Sequence, residues 1–90
     1  MTRDERRHRG TLICQRLASE IAAMVPEGIG AWEPAWAIVA EADADFLAAL
    51  SGWEADPSEA STQRVREAYQ GVLDAWRAAA AEFERTRAGR

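Results

Sequence analysis

Residues 65–83 read VREAYQGVLDAWRAAAAEF, and the spacing of the apolar side chains in this stretch decides the fold. These side chains follow one another at intervals of 4, 3, 4, 3 and 4 residues: Val65, Tyr69, Val72, Trp76, Ala79 and Phe83. At 3.6 residues per turn, this spacing places them along one stripe of a helix, and charged or amide side chains fill the opposite side. The stretch therefore predicts an amphipathic helix of about 30 residues, or about 45 Å, that ends near Gly89.

The residues before this stretch mark where the helix begins. Asp56 is a residue type that caps the free amides of a helix start, and Pro57 suits the first helical position because it has no N–H to satisfy. Glu59 stands where a capping box closes. The sequence therefore predicts that Asp56 caps the third helix.

A second amphipathic segment begins near Pro34, after the Gly28–Gly30 breaker, and runs toward Glu54. Its apolar face consists of Trp32, Trp36, Val39, Phe46, Leu50 and Trp53. Asp43 interrupts this stripe midway. The favoured interpretation is a break, in which Asp43 caps a shorter helix that starts near Ala44. The alternatives are a half-buried acid paired with an arginine and a residue with a functional role.

The first amphipathic segment has a buried stripe of four residues: Ile13, Leu17, Ile21 and Met24. Pro26 ends this segment. Residues 3–9 contain no apolar side chain, and Gly10 costs about 1 kcal/mol in a helix interior. We therefore expect residues 1–10 to form a flexible basic arm and residues 11–88 to form a single helical domain.

Three amphipathic segments joined by short connections predict an all-α fold. We expect a small antiparallel three-helix bundle with a long C-terminal helix and a break in its second helix near Asp43. The apolar stripe of the third helix spans about 27 Å, and the first helix offers only about four turns to cover it. Part of the stripe is therefore expected to remain uncovered, for a homodimer or a protein partner to bury.

Four tryptophans in 90 residues supply candidates for both the core and a contact surface. Trp36 and Trp76 lie in the middle of their stripes and are predicted to be buried. The tryptophans at the two ends of the second helix, near the ends of the bundle, are candidates for a partner surface. Two apolar residues that lie outside the apolar stripes of their helices are further candidates. These partner-binding candidates are Trp32, Trp53, Leu12 and Ile38.

Charge is unevenly distributed along the chain. Residues 26–60 hold eight acids and no base, a net charge of −8, against −4 for the whole chain. Glu41 and Asp45 of this segment are one turn apart and face away from the tryptophan stripe. They are interpreted either as a solvated helix face or as an acidic patch that binds a basic partner.

Several chemistries lack the residues that they require. The chain has no Lys, which excludes a P-loop and a Schiff-base lysine, and a single His, which is too few for a histidine-based metal site. Cys14 is the only cysteine, so no internal disulfide forms and we expect a reducing, cytoplasmic environment. The apolar runs are far shorter than the roughly 18 residues of a membrane span. We therefore expect no catalytic activity, no cofactor, no metal and no membrane insertion.

The sequence is best interpreted as a non-catalytic helical module, an adaptor or inhibitor that binds another protein or its own copy. One alternative is an antagonist of the kind that a phage or mobile element encodes, whose acidic surface blocks a basic, nucleic-acid-handling protein. A second alternative is a nucleic-acid-associated protein whose N-terminal arm contacts phosphate groups through Arg3, Arg6, Arg7 and Arg9. The acidic middle segment disfavours direct nucleic-acid binding, because it repels a phosphate backbone.

Overall fold

The computed structural model describes residues 1–89 and shows three α-helices joined by short connections. Helix α1 spans Arg3–Met24, α2 spans Glu33–Ala55 and α3 spans Glu59–Ala88, and a 3₁₀ turn at Ile29–Ala31 links α1 to α2. No strand occurs within the described residues. The all-α three-helix bundle predicted from the sequence is confirmed, and so is its long C-terminal helix, whose C-cap is Gly89.

Helix α2 runs antiparallel to both of its neighbours. Trp36 meets Trp76 with ring centroids 5.4 Å apart, and Phe46 meets Tyr69 at 6.1 Å, so later residues of α2 pair with earlier residues of α3. The start of α1 lies beside the end of α2, and α1 and α3 therefore run side by side in the same direction. The molecule is elongated, with extents of 53 × 19 × 16 Å.

The core forms mainly between α2 and α3. Val65, Val72 and Trp76 are buried, whereas Tyr69 and Phe83 are half-buried. The expectation that part of the apolar stripe of α3 stays uncovered therefore applies only to Tyr69 and Phe83, and the rest of the stripe is covered. The reason is that α2 is helical for 23 consecutive residues, which makes it long enough to cover the stripe that α1 alone would leave open.

The predicted break at Asp43 does not occur. Helix α2 passes through this position without interruption, and the Asp43 side chain is exposed, which also removes the alternative of a half-buried ion pair. The buried face of α2 passes through Ala42 instead, since Val39, Ala42 and Phe46 follow one another at helical spacing. A small alanine therefore fills the core position that the sequence pattern assigned to the acid.

The N-terminal arm is helical, and the expectation of a flexible arm over residues 1–10 is wrong. Thr2 caps α1 by accepting a hydrogen bond from the amide of Glu5 at 3.1 Å. The Nε of Arg6 donates to the carbonyl oxygen of Glu54 at 2.8 Å, which ties the first turns of α1 to the end of α2. Gly10 is buried against the Glu54 carboxylate, so the missing side chain permits this close approach. Tertiary contact thus outweighs the weak helix propensity of glycine.

Helix α3 is capped by Ser58 and not, as predicted, by Asp56. The Ser58 hydroxyl accepts from the amide of Ser61 at 3.0 Å, and the buried Ser61 hydroxyl accepts from the amide of Ser58 at 2.8 Å. Ser61 also donates to the carbonyl oxygen of Asp56 at 3.0 Å. The capping box is therefore closed by Ser61, and Pro57 lies in the connection before the cap.

Candidate functional site

Several large apolar side chains remain on the surface of the bundle. Trp36 is 54% exposed, Leu47 57%, Leu12 49% and Ile38 38%. Trp36 and Leu47 are eleven residues apart, about three helical turns, so they lie on one flank of α2. Ile38 lies on its other flank. Because the core of so small a chain is limited, apolar groups left outside it are candidates for contact with a partner.

Trp36 is held in place although it is exposed, and its predicted burial is wrong. Its indole stands nearly perpendicular to that of Trp76, at an interplanar angle of 86°. Its Nε1 donates to the carbonyl oxygen of Gly30 at 3.0 Å. The buried face of α2 runs through Ala35, and the next residue along a helix is rotated by about 100° away from it. Trp76, by contrast, is buried at 7% exposure, as predicted.

Two tryptophans at the ends of α2, Trp32 and Trp53, were predicted to contact a partner, and they differ in how far they are buried. Trp53 is 9% exposed and therefore belongs to the core, so its predicted exposure is wrong. The physical reason is that Trp53 lies on the buried face of α2, beside Ile13 of α1 and Val65 of α3. Trp32 is half-buried and packs against Phe83 at 5.5 Å between ring centroids.

The acidic face of α2 consists of Ile38, Glu41 and Asp45, which share one side of the helix at positions i, i+3 and i+7. Both carboxylates are exposed. All four ion pairs within the described residues lie on α1 or α3, and none involves an acid of residues 26–60. Within the described part of the chain no ion pair offsets the negative charge of this face, although Arg64 lines the same groove as Asp45.

A groove of about 540 Å³ runs between α1 and α3 and is open to solvent; we call it the α1/α3 groove. Apolar and aromatic side chains line its floor: Leu12, Ile13, Trp53, Val65 and Tyr69. Arg9 and Arg16 of α1 and Arg66 of α3 stand around it, together with Thr62. The groove thus combines an apolar floor with a basic rim.

Sequence reasoning found only two of the floor residues of this groove, Leu12 and Trp53, and of its rim only Arg9, which it assigned to a nucleic-acid arm. Arg9, Leu12, Ile13 and Arg16 follow a helical i, i+3, i+4, i+7 pattern, which was the available signal. The signal was missed because the helix was expected to begin after Arg9.

The four arginines of the proposed nucleic-acid arm do not form one surface. Arg6 bonds to the backbone of α2, Arg9 lines the α1/α3 groove, and Arg3 and Arg7 are exposed one turn apart. These arginines therefore point to different surroundings around α1. A phosphate backbone would contact only some of them at once.

Within residues 1–89, two titratable groups have perturbed pKa values, and both shifts favour the protonated form. Burial, a hydrogen bond donated to the Glu20 carboxylate and the charge of that carboxylate raise the pKa of Tyr69 to about 12, although the nearby Arg16 acts in the opposite direction. Burial, followed by the charges of Glu54 and Asp43, raises the pKa of the Cys14 thiol. A raised pKa keeps both groups protonated and unreactive near neutral pH.

Within residues 1–89, no group of three or more His, Cys, Asp and Glu side chains is arranged to hold a metal ion. None of the helices in this described part is long and apolar enough to cross a membrane. Comparison with protein-family models, curated proteins and solved structures finds no significant match for this chain.

Proposed function

We propose that this chain is a non-catalytic helical module that works by binding another protein or a second copy of itself. Binding takes place through exposed apolar side chains framed by charge, as in an adaptor or an inhibitor. The observation that supports the proposal best is the exposed indole of Trp36, with Leu47 three turns further along the same flank of α2.

The geometry of Trp36 suits it to act as an anchor. Its edge-to-face contact with Trp76 and its hydrogen bond to Gly30 hold the indole in one orientation before any partner arrives. A side chain that is already ordered loses little conformational entropy on binding, and tryptophan is enriched among the residues that dominate interface energies. Leu47, which is 57% exposed, extends this apolar edge along the same flank of α2.

Site-specific photo-crosslinking in the native host tests this proposal. A benzophenone side chain is placed at Leu47, and the matched control carries it at Gln70, an exposed position on α3. We expect an adduct of defined mass from Leu47 and none from Gln70. An adduct of twice the chain mass identifies a second copy, and any other defined mass identifies a different protein.

Substitution of the anchor completes this experiment. Trp36→Ala is combined with the crosslinker at position 47. This substitution is expected to reduce the yield of adduct strongly, because the main contact of the interface is lost. Absence of an adduct above the Gln70 control, or an adduct that Trp36→Ala leaves unchanged, would contradict binding through this flank of α2.

A second candidate function is favoured by the acidic face of α2. Glu41 and Asp45 are exposed one turn apart on this face and form no ion pair within the described residues, which suits an antagonist that covers a basic surface. The test places the crosslinker at Ile38 and replaces Glu41 by Gln and Asp45 by Asn, which removes charge and keeps shape. In an extract of the host at low salt, we expect the Gln and Asn variant to give less adduct than the chain with both acids, and we expect this difference to shrink at high salt. An unchanged yield at low salt would contradict this candidate.

A further inference from the structure

We propose that the α1/α3 groove binds an acidic amphipathic helix of a partner protein. The inference rests on the proposed function, since it assigns a partner chemistry to one surface of a protein-binding module. It concerns a different surface from Trp36 and Leu47, and the two are therefore tested separately.

The packing of the bundle leaves room for a further helix along this groove. Helix α1 lies beside α3 and runs in the same direction, but Leu12 is exposed and Ile13 only half-buried where the two helices face the groove. Val65 and Tyr69 of α3 continue this apolar floor. A helix laid between two neighbouring helices buries such a floor in the way that the fourth helix of a bundle does. The groove is open along its side, which suits an occupant that lies across the surface.

The rim of the groove selects the charge of the occupant. Arg9 and Arg16 are seven residues apart on α1, which places them two turns and about 10 Å from each other on one bank. Arg66 stands on the opposite bank. The one ion pair at the rim joins Arg16 to Glu20 at 3.7 Å, and both side chains are substantially exposed, so it offsets little of the positive charge.

These positions define the chemistry of the occupant. Its apolar side chains recur at i, i+3 or i+4, and i+7 along about two turns, and they face Leu12, Ile13 and Tyr69. Carboxylates on one edge of the helix, seven residues apart, match Arg9 and Arg16. A carboxylate on the other edge matches the arginine of α3. An apolar floor of this kind favours a protein helix over a nucleic acid, whose affinity arises mainly from its phosphates.

The probe is a fluorescein-labelled peptide of about 15 residues, held helical by a hydrocarbon cross-link on its outer face because free helices of this length are marginal. Leucines form its inner face, and glutamates flank them at the spacings given above. A matched peptide carries lysine at every glutamate position. Binding to the full chain is measured by fluorescence anisotropy at low and at high salt.

Two arginines of α3 provide a matched pair of variants. Arg66 lines the α1/α3 groove, whereas Arg64 lies on the other flank of α3, beside the groove between α2 and α3, and both are exposed. We expect Arg66→Glu to weaken binding of the acidic peptide by about fivefold, and Arg64→Glu to change it by less than about twofold. Arg16→Glu is expected to act like Arg66→Glu, and Leu12→Asp to abolish binding. Circular dichroism verifies that each variant is folded.

The outcomes separate this inference from the proposed function. The inference is supported if the acidic peptide binds, the lysine peptide does not, and Arg66→Glu has a larger effect than Arg64→Glu. Equal effects of the two variants, or no binding of the acidic peptide, would overturn the groove as a site. If the groove fails this test but the crosslinker at Leu47 gives an adduct that depends on Trp36, the proposed function still stands. If that adduct is absent too, both the inference and the proposed function are overturned.

Two other occupants are also tested. A single-stranded oligonucleotide that binds more tightly than the acidic peptide, and through the same arginines, would replace the helix by a nucleic acid and overturn the inference. Sedimentation of the unmodified chain tests for a second copy. Self-association that is lost both in Arg16→Glu and in the Glu41→Gln, Asp45→Asn variant would place the acidic face of another copy in the groove and likewise overturn it.

Discussion

The two indoles that meet between α2 and α3 are expected to contribute very differently to stability. Trp76 is 7% exposed, whereas Trp36 is 54% exposed, although the rings touch each other. We therefore predict that Trp76→Ala destabilises the fold by about 3–5 kcal/mol, the range for a fully buried aromatic residue. Trp36→Ala is predicted to cost only about 1–2 kcal/mol.

The magnitude for Trp36 follows from the area that it buries. A fully buried tryptophan removes about 150–250 Å² from water, at about 25 cal/mol per Å². Trp36 buries slightly less than half of its surface, and alanine retains part of that, which leaves roughly 1–2 kcal/mol. The edge-to-face contact between the rings is worth about 0.5–1.5 kcal/mol and should emerge as the coupling energy of a double-mutant cycle.

Urea unfolding monitored by far-ultraviolet circular dichroism measures these differences without relying on the fluorescence of the residues that are removed. A chain of this length has a total stability of about 5–14 kcal/mol, so Trp76→Ala could unfold it entirely. Trp76→Phe is the milder variant and should still cost more than Trp36→Phe. Equal costs at the two positions would refute the placement of Trp36 outside the core.

Three further predictions concern a helix cap and two titratable groups. Ser58→Ala should destabilise the fold by about 1 kcal/mol in urea unfolding, whereas Asp56→Ala should change it by less than about 0.5 kcal/mol; the reverse order would restore Asp56 as the cap. The pKa of Tyr69, the only tyrosine, should appear as a phenolate absorbance midpoint of about 12, and Glu20→Gln should lower it; a midpoint near 10 would contradict the contact. Because this pKa is raised in the folded state, its stabilising contribution is fully present below pH about 10 and is lost as pH rises toward about 12. The pKa of the Cys14 thiol is raised mainly by burial, so this thiol should react with iodoacetamide more slowly in the folded chain than in urea. Equal rates would show the thiol to be accessible.

The fold could be predicted from the sequence because its signals are local. The apolar stripe of α3 and the glycine after its end are both visible in short windows, and they placed the helix within a few residues. The errors arose where a local signal was weaker than a tertiary contact. Gly10 was expected to weaken a helix, but in the folded chain it lies within α1, buried against the Glu54 carboxylate. Such a contact joins residues far apart in sequence, and no local pattern reports it.

The candidate site was less predictable for a related reason. A residue next to an apolar stripe can lie inside or outside the core, and the direction in which the helix faces decides which. Trp36 follows the buried Ala35 by one position, and Asp43 follows the half-buried Ala42, so a rotation by one residue reverses both assignments. The basic rim of the α1/α3 groove combines side chains of α1 and α3 that are about 50 residues apart. Their proximity depends on which faces of these two helices turn toward each other, which composition and spacing do not specify.

The first turns of α1 connect the stability of the bundle to its surface chemistry. The hydrogen bond from Arg6 to Glu54 joins the first turns of α1 to the end of α2, next to the buried Trp53. The same helix then presents Arg9 and Leu12 to the α1/α3 groove. Had residues 1–10 formed a flexible arm, this bond would be absent and only Arg9 would lose its place at the groove, because Leu12, Ile13 and Arg16 lie further along α1. The ordering of this segment therefore adds Arg9 to the basic rim, and its position seven residues before Arg16 sets the spacing of the carboxylates in the proposed occupant.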